Sequence, residues 1–125
     1  MTTSAAHELI EAYWRHAQAR DWAAFGALLA DDVLYEVPQT RERVRGTANV
    51  VEFNRTYPGD WRAEPRRIVG EGEHGASWVD FHVDGTLATG VTFFELRDGR
   101  IARITDWWPE AYEPPARMTD KIERY

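Results

Sequence analysis

The sequence of 125 residues contains no cysteine. Catalysis by a thiol, disulfide bonds and zinc sites with cysteine ligands are therefore excluded, and the composition is typical of a reducing compartment. No apolar run is long enough to span a membrane, and the first four residues lack the basic charge that begins a signal peptide. We therefore expect a cytoplasmic protein with no membrane partner.

Positive charge is also scarce, because 15 lysines and arginines face 21 carboxylates and leave a net charge of −6. Arginines cluster near residues 41–45 and 62–67, but carboxylates interleave with both clusters. A surface that follows nucleic-acid phosphates needs an uncompensated basic stripe. We therefore predict no nucleic-acid partner.

Motifs for bound groups are missing too. The sequence contains neither a Gly-rich phosphate loop nor a serine-nucleophile motif. Its histidines and carboxylates do not follow a metal-ligand spacing. We therefore expect no cofactor and no metal site.

Aromatic residues, in contrast, are abundant, and six of them are tryptophans. An indole is costly to leave exposed, and its N–H needs a partner when it is buried. Such side chains fill a core or line a pocket for an apolar ligand. With 43% hydrophobic residues, the chain is predicted to form one domain over residues 1–125, with a core that needs no metal or disulfide.

The first half of the chain is predicted to be mainly helical. Ser4 is expected to cap a first helix that runs to about residue 20, and Asp21 a shorter second helix that ends before residues 31–32. Residues 33–37 alternate as a strand, and residues 39–46 read as a charged loop. Thr47 is expected to cap a third helix, which carries Phe53 and ends at residues 57–59.

In the second half of the chain, apolar and polar residues alternate with the period of a β-strand. Strands are predicted at about residues 61–70, 76–83, 87–96 and 101–108. Asp84-Gly85 and Asp98-Gly99 are tight hairpin signals, and a short helix is expected near Lys121 in the extended tail. Helices followed by an antiparallel meander predict an α+β fold, in which a cone-shaped, curved antiparallel sheet wraps around two to three helices.

One residue breaks the alternation of the last predicted strand. Asp106 shares a strand face with Ala102, Ile104 and Trp108, whereas Ile101 and the alternate residues lie on the other face. An ionised carboxylate among apolar neighbours is costly unless it is paired, hydrogen-bonded or wetted by a cavity. The pattern indicates a catalytic carboxylate inside a hollow, or a structural carboxylate satisfied by an indole or an amide.

The order of elements, the Ala30–Val33 start of the first strand and the Gly99–Trp108 final strand resemble the nuclear transport factor 2-like superfamily. The similarity is greatest to its SnoaL-like and steroid isomerase-like branches, and it covers residues 9–109. It implies a conical interior closed by helices. It does not specify the activity, because this fold hosts unrelated functions.

The resemblance to steroid isomerases covers only part of their catalytic set. Tyr13 matches the tyrosine that holds the developing oxyanion. The position of the proton-transferring aspartate is Val37, and that of the neutral aspartic acid is Thr92. Isomerisation by the steroid isomerase mechanism is therefore not expected.

Other branches match at different positions. The resemblance to limonene epoxide hydrolases assigns their two aspartates to Asp80 and Asp106 and their tyrosine to Tyr35, while Trp78 replaces the bridging arginine. SnoaL-like polyketide cyclases use a single aspartate at the Asp106 position as acid and base. Scytalone dehydratases resemble the chain through His82, Asp80 and Tyr35. Periodicity alone points Asp80 at solvent, and only the resemblance turns it inward.

The favoured hypothesis is a cofactor-free SnoaL-like enzyme that acts on a small, apolar, oxygenated molecule by cyclase, isomerase, dehydratase or hydrolase chemistry. Asp106 would be the general acid/base, assisted by Asp80, Tyr35 and His82. The alternatives are a non-catalytic ligand-binding or scaffolding module and a limonene epoxide hydrolase-like enzyme. The residues expected to line the substrate site are Tyr13, Val37, Phe53, Trp78, Thr92, Phe94 and Trp108.

A homodimer is also expected. Five apolar residues are predicted on the outer face of the sheet, where a second copy would cover them. They are Val79, Phe81, Val83, Phe93 and Trp107.

Overall fold

The computed structural model describes residues 3–125. Its elements are α1 (Ala5–Ala19), α2 (Trp22–Ala27), β1 (Leu29–Val37), β2 (Glu42–Arg45), α3 (Thr47–Arg55), β3 (Trp61–Glu71), β4 (His74–Val83), β5 (Thr86–Arg97) and β6 (Arg100–Trp107). The strands form one curved sheet in the order β2-β1-β6-β5-β4-β3, and the helices pack on it. The predicted α+β class is confirmed. None of the helices described is long and apolar enough to cross a membrane.

Two of the three predicted helix caps are confirmed. The side chain of Ser4 caps α1 and that of Asp21 caps α2, each by accepting a hydrogen bond from a backbone N–H of the first turn. The prediction for Thr47 is wrong, because Thr47 is the first residue of α3 and Gly46 is its N-cap. The hydroxyl of Thr47 instead donates to the carbonyl of Ala30 at 2.9 Å and ties α3 to β1.

Three boundaries differ from the sequence prediction. β1 begins at Leu29, earlier than predicted, because Leu29 and Ala30 are buried. The predicted loop at 39–46 contains β2, whose charged residues are tolerated because it is the edge strand beside β1. The expected helix near Lys121 is not present in the described tail, which is exposed and so buries no apolar helix face.

One strand pair departs from the predicted antiparallel sheet. β1 and β6 pair in parallel, whereas the other four pairs are antiparallel. The prediction was correct for the β3–β6 meander, in which tight hairpins connect consecutive strands. β1 and β6 are joined only through α3 and the meander, so no local turn fixes their direction.

The strand register gives the sheet two distinct faces. Ser77, Thr92 and Asp106 stand side by side on β4, β5 and β6, and all three are buried. Trp78 and Trp107 belong to the next row and therefore point the opposite way. Their exposed fractions are 45% and 41%, so the inner face holds the core and the outer face carries exposed aromatic rings.

A β-bulge changes the predicted pattern at the start of β6. The pairing register shifts by one residue after Glu95, so Ala102 is the extra residue of β6. Ile101, predicted on the face opposite Ile104, is buried in the core together with it. The bulge therefore lets two nearby isoleucines anchor the strand that carries Asp106.

Candidate active site

A cavity of about 200 Å³ lies on the inner face of the sheet, beneath α1 and α3. Its wall is mainly aromatic and aliphatic, and its polar groups are three phenol hydroxyls, three indoles, one amide and one carboxyl. The lining residues are Tyr13, Trp14, Ala17, Tyr35, Phe53, Asn54, Tyr57, Trp61, Phe81, Val83, Ala88, Asp106 and Trp108. A concave apolar site with few polar groups is typical of small-molecule binding.

Asp106 is the only carboxylate in this lining, and it is 4% exposed. Its Oδ2 accepts a hydrogen bond from the Tyr35 hydroxyl, and its Oδ1 accepts one from the Thr92 hydroxyl. Each carboxylate oxygen can accept two hydrogen bonds. The Trp108 side chain donates a third hydrogen bond to this carboxyl, so one lone pair remains that a substrate proton can use.

The electrostatics of the site raise the proton affinity of the Asp106 carboxyl. Burial raises the pKa of the Asp106 carboxyl above its ordinary value, and hydrogen bonds from Thr92, Tyr35 and Trp108 lower the pKa only in part. None of the described lysines, arginines or histidines forms an ion pair with Asp106. A carboxyl with a raised pKa can both release and take up a proton closer to neutral pH than an exposed one.

Tyr13 brings a second hydroxyl to the cavity. Its side chain is 2% exposed, and its hydroxyl forms no hydrogen bond with the described residues. Burial, together with the negative charge of Asp106, raises the Tyr13 pKa well above its ordinary value, so the group stays a donor. The hydroxyl is not among the fully buried polar atoms that lack a partner, and Tyr13 lines the cavity, so an oxygen atom inside the cavity can accept its hydrogen bond.

Tyr13 is held in place from several sides. Its ring packs against Phe25 at 4.8 Å and against Phe94 at 5.2 Å between centroids. The next residue, Trp14, donates its indole N–H to Ser77 Oγ at 3.0 Å in the buried row that also contains Asp106. The tyrosine of α1 and the carboxylate of β6 are therefore fixed to one inner surface.

Aromatic rings in contact surround the cavity. The ring of Phe53 lies 5.2 Å from that of Tyr35 and 6.3 Å from that of Tyr57. Tyr57 contacts Phe81 at 5.6 Å, and Phe81 contacts Trp108 at 5.3 Å. A wall of rings that contact each other resists collapse when the cavity is empty.

Trp61 completes this wall through contacts on both of its faces. It stacks on Phe81 with centroids 5.4 Å apart, and the guanidinium of Arg20 lies 3.5 Å from the centre of its ring. Arg20 also donates a hydrogen bond to the Trp61 carbonyl. The residue that ends α1 thus fixes one side of the cavity.

The structure brings together most of the residues predicted for the site. Tyr13, Tyr35, Phe53, Asp106 and Trp108 line the cavity. The others predicted on the inner side lie just behind the wall, since Thr92 hydrogen-bonds to Asp106 and Phe94 packs on Tyr13. Val37 packs against the core, but it is not part of the lining.

Three predicted site residues lie outside the cavity. Asp80, His82 and Trp78 point to the outer face of the sheet, as strand alternation indicated and the family resemblance did not. Arg66 covers Asp80 and donates a hydrogen bond to it at 2.6 Å, and His82 lies 3.7 Å from a Glu64 oxygen. Their predicted placement beside Asp106 is wrong.

The same strand register also corrects the prediction of which apolar residues lie on the outer face of the sheet. Val79 is fully buried, and Phe81 and Val83 line the cavity, so these three residues belong to the inner face. Phe93 and Trp107 lie on the outer face as predicted, with Phe93 50% exposed. Trp78, Phe93 and Trp107 together form what we call the outer aromatic patch.

The sequence analysis missed several residues of the lining. Asn54 lies in the last turn of α3 and Tyr57 follows the C-cap of that helix, so helical spacing from Phe53 did not indicate either residue. Trp61 and Phe81 lie on strands that alternation could have placed inward. Among the described residues, no group of three His, Asp or Glu side chains could hold a metal ion.

Solved structures share this architecture. A protein from Kribbella flavida DSM 17836, described as a candidate ketosteroid isomerase, is 41% identical, with 98% of this chain and 91% of that chain covered and a TM-score of 0.94. An NTF-2 like protein of unknown function from Burkholderia xenovorans LB400 is 27% identical, with coverages of 94% and 93% and a TM-score of 0.79.

A more distant neighbour is an LEH-like epoxide hydrolase from M. tuberculosis, 24% identical over 86% of this chain and 84% of that chain, with a TM-score of 0.72. At that identity, the similarity shows the fold alone. No curated protein matches the sequence. The SnoaL-like domain matches residues 10–104, which include the last two thirds of the first helix, Tyr35 and most of the sheet. The chain therefore belongs to the SnoaL-like domain family, within the nuclear transport factor 2-like fold.

Proposed function

We propose that the protein is a cofactor-independent acid–base enzyme that acts on a small, largely apolar molecule carrying an oxygen atom. The observation that carries this proposal is the arrangement of Asp106 in the cavity. The carboxyl is buried without a cation, it keeps one free lone pair, and it shares an apolar hollow with the unpartnered hydroxyl of Tyr13.

The reaction that this pair supports best is proton transfer next to a carbonyl group. The substrate oxygen accepts a hydrogen bond from the Tyr13 hydroxyl. Ionised Asp106 takes a proton from the adjacent carbon, and the electrons of that C–H bond form a C=C bond as the carbonyl becomes an enolate. Asp106 then returns the proton to the same carbon or to another one. Proton transfer by a positioned side chain contributes about 10²–10⁴ in rate.

Tyr35 and Thr92 position the carboxylate in this scheme. Their hydroxyls each hold one oxygen of Asp106, so the carboxylate keeps a fixed orientation. Burial and the charge of Asp106 raise the Tyr35 pKa well above its ordinary value. Tyr35 therefore stays protonated while Asp106 exchanges its proton.

Epoxide opening is less well supported. In the sequence comparison, that chemistry paired Asp106 with Asp80, but Asp80 lies on the outer face against Arg66. A non-catalytic binding module remains the second candidate, favoured by the apolar Val37 at the position of a proton-transferring aspartate. Both candidates use the same cavity, and only the enzyme needs an ionisable Asp106.

The test is hydrogen–deuterium exchange of the α-hydrogens of cyclohex-2-en-1-one in D₂O, followed by NMR. The wild-type protein is expected to accelerate exchange, and Asp106→Asn to lose about 10²-fold or more of that acceleration. Asp80→Asn is the matched control, because it removes a carboxylate outside the cavity and should exchange like wild type. Equal rates for Asp106→Asn and wild type would contradict the acid–base role, and ligand binding without exchange would favour the binding module.

We also propose a homodimer in which a second copy covers the outer aromatic patch. Trp78 and Trp107 flank Val91 in one register row, and Phe93 stands two rows away on the same outer face, so the exposed rings lie close together. Clustered exposed apolar surface of this kind marks interaction sites on folded proteins.

A further inference from the structure

Trp108 lies flat on a glycine of the neighbouring strand. A Cβ atom added to Gly90 would lie 2.5 Å from Cζ3 of Trp108 and 2.7 Å from its Cε3 and Cη2 atoms. Gly90 is not among the glycines with positive φ, so its backbone conformation suits any residue. The space taken by the indole, and not the backbone, therefore requires glycine at this position.

The seated indole forms part of the cavity wall. Trp108 follows Asp106 on the inner face and lies with its ring against Phe81. Its backbone N–H donates to Gln39 Oε1 at 3.0 Å, which fixes the chain where it leaves β6. Because Gly90 lies beneath the indole, any group added there would lift the ring off the sheet and into the cavity.

The space that this wall leaves is small. The cavity measures about 200 Å³, whereas ligand pockets are commonly about 300–1,000 Å³. A cavity of about 150 Å³ holds one benzene molecule. The hollow beside Asp106 therefore has room for one six-membered ring and short substituents, and not for several fused rings.

We infer that the substrate is a single-ring oxygenated molecule. Trp108 and Gly90, on which the indole lies, together set this size limit. The inference rests on the proposed function for the choice of site. It deepens that proposal by naming the substrate class. The ring lies in the aromatic enclosure, and the oxygen atom lies between the Tyr13 hydroxyl and Asp106.

Two phenols of different size test the limit by binding alone, so a failure of catalysis cannot be mistaken for a failure of size selection. The probes are 4-methylphenol, measured by calorimetry, and 1-hydroxypyrene with four fused rings, measured by fluorescence anisotropy. Wild-type protein is expected to bind 4-methylphenol at least about tenfold more tightly than 1-hydroxypyrene. Trp108→Ala removes the indole and is expected to reverse that preference.

Gly90→Ala is the second variant in this binding test. With Trp108 present, it is expected to weaken 4-methylphenol binding about tenfold or more. In the Trp108→Ala background it should have little effect, because no indole remains to be displaced. The inference is overturned if wild type binds 1-hydroxypyrene as well as 4-methylphenol, if it binds neither, or if Gly90→Ala acts equally in both backgrounds. Circular dichroism of each variant identifies any that fail to fold, and the two single variants are independent tests.

Discussion

The hydroxyl of Tyr35 on β1 donates a hydrogen bond to Oδ2 of Asp106 on β6, across the one parallel strand pair of the sheet. This bond favours the ionised carboxylate, whereas burial favours the protonated form. The proton affinity of the site therefore depends on how the first and last strands meet.

Removal of the Tyr35 hydroxyl should shift the pH dependence of exchange. Tyr35→Phe takes away a hydrogen bond that lowers the Asp106 pKa, so that pKa should rise further. Ionised Asp106 is the base, and the rising limb of kcat/KM against pH is expected to move to higher pH. Tyr57→Phe changes another hydroxyl of the lining and should leave the limb in place. A limb that does not move in Tyr35→Phe would contradict the assignment.

Tyr13 and Tyr35 should respond differently to the same loss of a hydroxyl. Tyr13→Phe leaves no protein group unpaired, so stability should change by less than about 0.5 kcal/mol while exchange falls about 10²–10³-fold. Tyr35→Phe removes a donor from a buried carboxylate and should cost about 1–3 kcal/mol of unfolding free energy. Urea denaturation and the NMR exchange assay measure the two effects. Equal stability losses would show that Tyr13 has a structural partner.

The stability of the wild-type protein should depend on Asp106 with a defined sign. Its pKa is raised in the folded state, so the folded protein holds this proton at pH values where the unfolded chain has released it. The associated stability is fully present below the unfolded value of about 4 and is lost as pH rises through the folded pKa. Asp106→Asn has no ionisable group at this position, so the variant should not lose this stability as pH rises.

Urea denaturation across pH 4–8 measures that effect as the difference between wild type and Asp106→Asn. The difference should move in favour of the variant as pH rises. Carboxylates whose pKa is lowered by arginines, such as Asp32 and Glu36, are common to both proteins and cancel. A difference that stays constant with pH would show that Asp106 titrates in the folded protein as it does in the unfolded chain.

Disruption of the outer aromatic patch should yield a monomer. Trp107→Arg places a charge within the patch, where burial against a second copy would be costly. Light scattering at micromolar concentration is expected to give a dimer mass for wild type and half of it for the variant. Met118→Arg, in the exposed tail, is the control. A wild-type monomer would refute the proposed dimer.

Local patterns predicted much of this structure correctly. The caps Ser4 and Asp21 and the hairpins at Asp84 and Asp98 depend on side chains and backbone preferences within a few residues, and both hairpin aspartates adopt positive φ. Alternation placed Asp106 inward because β6 is regular beyond its bulge. The same alternation was correct for Asp80, where the resemblance to epoxide hydrolases was misleading.

Long-range features could not be predicted in this way. The parallel pairing of β1 with β6, and the short strand β2 beside it, depend on contacts between distant segments. The membership of Trp61 in the cavity depends on how α1 ends, because Arg20 fixes the ring from outside. The volume beside Asp106 depends on Gly90, whose role is visible only once Trp108 lies on it.

The parallel contact between β1 and β6 also governs when the chemistry can come into existence. Tyr35 and Asp106 are separated by 71 residues, so the two meet only after β6 has been synthesised and has docked beside β1. Pairings this remote in sequence slow folding, because a long loop must close before the contact contributes any stability. A partly folded chain would therefore already have its helices and hairpins, but it would lack the cavity and the Asp106 carboxyl that lines it.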